Sequence, residues 1–121
     1  MNQKGFALIE TIVALAILGT AALAVLSGLA TSSKATIINE RRATAESLVR
    51  SEIEYVKNCA YQVSAIQYPA DPSLTIPTGW SVPQPGVQPV HATDDGLQQV
   101  TVSASFQGNP VLSLTVYKAN R

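Results

Sequence analysis

The 121-residue sequence is short of the groups on which most active sites are built. Its single histidine, His91, has no second imidazole with which to share a metal, and nothing nearby completes a Ser–His–Asp arrangement. Its single cysteine, Cys59, excludes an intrachain disulfide and reads as a small apolar residue rather than a reactive thiol or an interchain bridge. No glycine-rich phosphate loop is present. Charged residues make up only 13%, and 8 basic side chains scattered along the chain balance 8 acidic ones, which gives no basic patch for nucleic acid. These absences point away from an enzyme and away from a bound cofactor or metal. Two further absences have positions. Charge is missing altogether from Thr11 to Ser33, and proline is missing before Pro69.

The charge-free stretch lies within an apolar run from Phe6 to Ala30. As a helix it rises about 37 Å, enough to cross a hydrocarbon layer about 30 Å thick. Outside it remains an ordinary, rather polar segment of about 90 residues, room for one modest core. One residue disturbs the run: Glu10, a carboxylate near its leading edge, where an ionised group in hydrocarbon costs about 2.5–3.5 kcal/mol. A secretory signal peptide has a core of only about 7–15 residues, although "SGLATSS" (Ser27 to Ser33) offers a candidate cleavage region. A plain signal anchor fits the length and leaves Glu10 unexplained. No lipid-attachment cysteine follows the run.

The stretch "KGFALIETIVALAIL" (Lys4 to Leu18) resembles the amino-terminal signature of type IV pilins and of the pseudopilins of type II secretion and competence systems. The resemblance covers about the first quarter of the chain. It implies a leader of residues 1–5 containing the basic Lys4, cleavage by a prepilin peptidase between Gly5 and Phe6, and N-methylation of the new terminal Phe6. It also implies that Glu10, at the fifth mature position, meets the Phe6 ammonium of a neighbouring subunit during assembly. Ala7 replaces the commoner threonine, which leaves the cut and the glutamate untouched. The partners implied are other pilin or pseudopilin subunits, the peptidase/methyltransferase, an inner-membrane assembly platform, and membrane lipid before assembly. Within one chain, Glu10 also faces the positive end of its own helix dipole, worth about 0.3–1 kcal/mol.

Without an early proline the helix can run past the membrane, so residues 6–33 are expected as the transmembrane and assembly segment and 34–60 as its amphipathic continuation. Ile38, Ala45, Val49 and Val56, with Ile53 and Ala60, fall on one helical stripe. Arg42, Glu46, Arg50 and Glu54, four apart and alternating in sign, are read as the opposite face of that helix, solvated and ion-paired. Residues 61–121 are expected to hold a proline-rich connection and a sheet. Six of the seven prolines lie between Pro69 and Pro89, which limits that stretch to short edge strands such as "GWSV", with Trp80 covering a sheet edge. "LQQVTVSASF" alternates, "QGNP" turns, and "VLSLTVYKA" answers with Leu112, Leu114 and Val116, an antiparallel hairpin whose apolar face suits the helical stripe. The fold class expected is α+β, a long amino-terminal helix packed on a small antiparallel sheet. Asp94 and Asp95 in "TDDG" read as a turn in preference to a calcium loop.

Two functions from different classes fit these readings. One is a structural subunit, on the resemblance a minor pilin or an I-type minor pseudopilin, anchored in the inner membrane with its carboxyl domain outside and then incorporated in a filament. The other is a monomeric membrane-anchored binding domain. The processing of residues 1–5 separates them.

Overall fold

A computed structural model describes residues 2–121. It contains one helix, α1 (Gln3–Asn58), and four strands, β1 (Trp80–Ser81), β2 (Gly86–Pro89), β3 (Leu97–Phe106) and β4 (Asn109–Ala119). The chain divides into two compact units, Met1–Ile38 and Asn39–Arg121.

The first unit is helix alone, and all its described side chains are exposed. Such exposure of leucine, isoleucine and valine has no counterpart in a soluble core, and α1 is long and apolar enough to cross a membrane. Hydroxyls within it are satisfied locally: Thr11 donates to the Ala7 carbonyl (2.9 Å) and Thr31 to that of Ser27 (3.0 Å). This back-bonding removes their need for water.

The second unit packs the Asn39–Asn58 part of α1 on an antiparallel sheet. β3 is central, paired along one edge with β4 and along the other with β2 and then β1. Its alternation sets the face: Val100, Val102 and Ala104 are fully buried, and their cross-strand partners Val116, Leu114 and Leu112 share that face. The helix supplies Ala45, Val49, Ile53 and Val56, and Tyr68 and Val87 complete the core. The hairpin turns on Gln107 and Gly108, whose φ values of 49° and 81° are those of a two-residue turn matched to strand twist. Near the turn, β4 carries a bulge: Ser105 faces Pro110 and Ala104 faces Leu112, so Val111 is left over.

Trp80 lies opposite Phe106 at the end of β3, their rings 5.3 Å apart, and the Arg41 guanidinium stands 4.5 Å from the Phe106 ring centre. Gly79 has φ +84°, and a Cβ there would come within 3.1 Å of the Phe106 ring. Only glycine admits both the left-handed backbone and that approach.

The expected α+β architecture is present, with four differences of detail. The helix ends at Asn58, and Ala60 is exposed beyond it. Ile38 is exposed, because helical burial begins only at Ala45. Leu114 keeps 41% of its surface exposed, on a strand paired along one edge only. The Arg42–Glu54 row flanks the buried stripe instead of opposing it, because steps of four residues advance about 40° around a helix of 3.6 residues per turn. One ion pair forms in this row, Arg42 to Glu46 at 3.2 Å.

Candidate functional site

The signature residues lie in the first turns of α1. Gly5 and Phe6 are both helical, and their amides donate to the Asn2 carbonyl at 3.0 and 3.3 Å. The Gly5–Phe6 bond is therefore part of an exposed helical turn, with Phe6 at 71% exposure. Nothing lies within 4 Å of where a Gly5 Cβ would stand, and its φ is not left-handed. The fold itself has no use for a glycine here; a larger side chain fits the helix without a clash.

Glu10 follows Phe6 by four residues, which places both on one face of α1. The first turn contains no acidic residue, so Glu10 is the carboxylate nearest the positive end of the helix. Among the described residues neither Glu10 nor Lys4 makes an ion pair. A lone carboxylate on an apolar helix, one turn from the bond that would release an ammonium, can pair with a cation outside its own chain.

The polar residues of the second unit serve its own stability. Asp94 is a hydrogen-bond hub: its carboxylate accepts from the Tyr61 hydroxyl, the Ser64 amide (2.6 Å), the Gly96 amide (3.1 Å) and the Gln98 side-chain amide (2.6 Å). The Tyr61 hydrogen bond and then the Ser64 amide hold its pKa down to about 2, while burial and the same carboxylate push Tyr61 up to about 12. Four donors occupy the oxygens, so Asp94 ties residues 61–64 to the start of β3. Asp95 pairs with His91 at 2.8 Å on the surface. Among the described residues no cluster of His, Cys, Asp and Glu is arranged to hold a metal. Cys59 is half-buried and unpaired.

Two buried charges were not legible as such in the sequence. Glu52, 1% exposed, accepts the Asp71 amide with both carboxylate oxygens (3.1 and 3.2 Å), and burial raises its pKa against that hydrogen bond. Lys118 ends β4 with its ammonium on the carbonyls of Val56 (2.8 Å), Lys57 (3.2 Å) and Cys59 (2.7 Å). It fills the C-cap of α1, where unpaired carbonyls and the negative end of the helix dipole both call for a cation. Beside it, Tyr68 donates to Gln98 at 2.9 Å. The hints in the sequence are that Gln98 and Lys118 fall on the apolar parity of their strands and that Glu52, seven after Ala45 and four before Val56, falls on the helical stripe.

Comparison with known proteins bears on the first unit. Residues 1–26 match the family model described as the prokaryotic N-terminal methylation motif, the amino-terminal signature of type IV pilins and pseudopilins. That signature supports a pilin- or pseudopilin-like precursor, processed by a prepilin peptidase and assembling with other pilin subunits. No curated protein and no solved structure matches the chain.

Proposed function

We propose that this chain is a structural subunit, of the minor class, in a type IV pilus or a type II secretion pseudopilus. It is made as a membrane-anchored precursor with its carboxyl unit outside the inner membrane, cut after Gly5, methylated at Phe6, and assembled through α1. One observation carries the reading: the methylation motif over residues 1–26 opens a helix whose apolar side chains are unburied through its first unit.

The geometry supports the cleavage and the pairing. Gly5 meets nothing within the chain, so its missing side chain is of use to an external reader such as the peptidase. Cleavage removes Asn2 and its carbonyl, and turns the Phe6 amide nitrogen into a free ammonium at the head of the helix. Glu10 then carries the complementary charge. In an apolar bundle, an ammonium or carboxylate left without its partner costs about 3–5 kcal/mol, so the Phe6–Glu10 pairing between subunits selects one register among otherwise interchangeable apolar contacts. The lipid bilayer holds the chain until the assembly platform and the other subunits take it up.

The test is Glu10→Ala beside Glu10→Asp. Glu10→Ala should insert and be cleaved normally, because the Gly5–Phe6 bond is intact, and should be lost from complexes recovered with the partner subunits. Glu10→Asp keeps the charge with shorter reach and should be incorporated in part. Normal incorporation of Glu10→Ala would retire the pairing mechanism.

A further inference from the structure

Between Tyr68 and the turn that precedes β1, residues 69–76 run past α1 with little to hold them. None is buried, and only Asp71 and Leu74 are half-buried. Both flanks are fixed. Tyr68 is buried, its amide donating to the Pro85 carbonyl (3.1 Å) and its hydroxyl to Gln98 (2.9 Å); the Trp80 amide donates to the Pro77 carbonyl (3.1 Å) and its ring packs on Phe106. Between those flanks, among the described residues, one group outside the segment hydrogen-bonds to it: Glu52, whose two carboxylate oxygens both accept the Asp71 amide (3.1 and 3.2 Å). The other hydrogen bonds are internal, from the Leu74 amide to the Asp71 carbonyl and from the Ser73 amide and hydroxyl to the Asp71 carboxylate. Glu52 itself is 1% exposed, and Leu48, one turn earlier, is buried without belonging to the sheet-facing core. We infer that residues 69–76 form a strap over this flank of α1, closed by one latch, the Asp71 amide on the Glu52 carboxyl, which holds in acid and slackens as Glu52 ionises.

The chemistry of the latch sets its sense. A buried carboxylate anion needs a cation or several donors, and Glu52 has one amide and no ion pair among the described residues. The groups around it offer no free positive charge. On the strap, Asp71 is a second carboxylate, and on α1 the titratable neighbour is Tyr55. From the sheet, Lys118 commits its ammonium to the carbonyls of Val56, Lys57 and Cys59. A neutral Glu52 still accepts the amide through its carbonyl oxygen, with no charge to hydrate or to set against Asp71. Burial accordingly raises its pKa above 4.5, the Asp71 amide opposes this by less, and the Asp71 charge adds to the rise. With the strap open, Glu52 is hydrated and titrates at its ordinary value. The closed strap therefore binds the proton more tightly. Its extra stability is complete below 4.5 and is lost as pH rises through the raised value. Opening bares Leu48 and a carboxylate on α1 and spares the core, to which none of residues 69–76 belongs. The inference is independent of Glu10 and of cleavage.

The experiment uses the full chain in detergent micelles, with Cys59→Ser and a nitroxide on Thr75→Cys, an exposed strap position. Its electron paramagnetic resonance spectrum is followed from about pH 8 to about pH 4, over which the mobile component should fall at least about twofold, with a midpoint above 4.5. Glu52→Gln keeps the acceptor and abolishes the titration, so its label should stay immobile throughout. Asp71→Asn keeps the amide, removes the neighbouring charge and should lower the midpoint. The same label on Ser113→Cys, exposed on β4, reports the rest of the unit and should not change. A parent label indifferent to pH, a transition that survives Glu52→Gln, a strap mobile at every pH in that variant, a midpoint raised by Asp71→Asn, or a Ser113→Cys label that moves in step with the strap would each overturn the inference.

Discussion

Lys118→Met keeps the length and apolar stem of the side chain and deletes only the ammonium that closes the end of α1. In the parent that ammonium donates to three carbonyls at 2.7–3.2 Å while Lys118 itself is 8% exposed. Hydrogen bonds to a charged group contribute about 1.5–3 kcal/mol each, and water can replace part of what is lost at the rim, so a net loss of about 3–4 kcal/mol is expected. The core residues lie between Ala45 and Ala104, so a fragment from Asn39 to Arg121 contains every core contact and is the object to melt. For a unit of this size each kcal/mol moves Tm by about 4–8 °C, so the variant should melt at least about 12 °C below the parent by circular dichroism. Lys118→Arg keeps the charge and should recover part of the loss. A Lys118→Met variant melting within about 3 °C of the parent would refute the capping argument, since burial of the stem alone would then explain the residue.

Val102→Asp should unfold the same fragment or cost it at least about 3 kcal/mol, whereas Leu114→Asp should cost under about 1 kcal/mol, because only the first buries a charge without a partner; chemical denaturation compares them. Asp94 titrates near 2 in the fold against 3.8 unperturbed, so its stabilising contribution is complete above pH 3.8 and disappears as pH falls through 2. Asp94→Asn should flatten that acid limb in a series of melts, and an unchanged limb would contradict the hub. Glu52 acts in the opposite sense, its raised pKa making the fold relatively more stable as the carboxyl takes up a proton.

What was readable in the sequence followed from periodicity and punctuation. The β3–β4 hairpin was legible because one face of β3 is buried from Gln98 to Ala104, which enforces alternation, and because Gln107–Gly108 can adopt left-handed backbone. The proline-rich stretch was legible only as irregular. β2 is paired by contacts to β3 that no local pattern announces, and Tyr68 enters the core from a coil segment. The partners of Glu52 and Lys118, the Asp71 amide and the carbonyls closing α1, could not be read locally, being distant in sequence or part of the backbone. The helical stripe overran at both ends, at Ile38 and Ala60. A heptad pattern marks a face and says nothing of how far its partner extends. At the amino terminus Lys4, Gly5, Phe6 and Glu10 stood out through the resemblance to a family signature, and the methylation motif matched over residues 1–26 agrees with that resemblance.

The account turns on where the mature chain begins, and the intact mass and amino-terminal peptide of the protein recovered from its own cell membranes decide this directly. The prediction is a chain starting at Phe6 and carrying one methyl group on its terminal nitrogen, with Gly5→Val accumulating uncut. A mature chain starting near Ala30, or one still carrying residues 1–5, would contradict it.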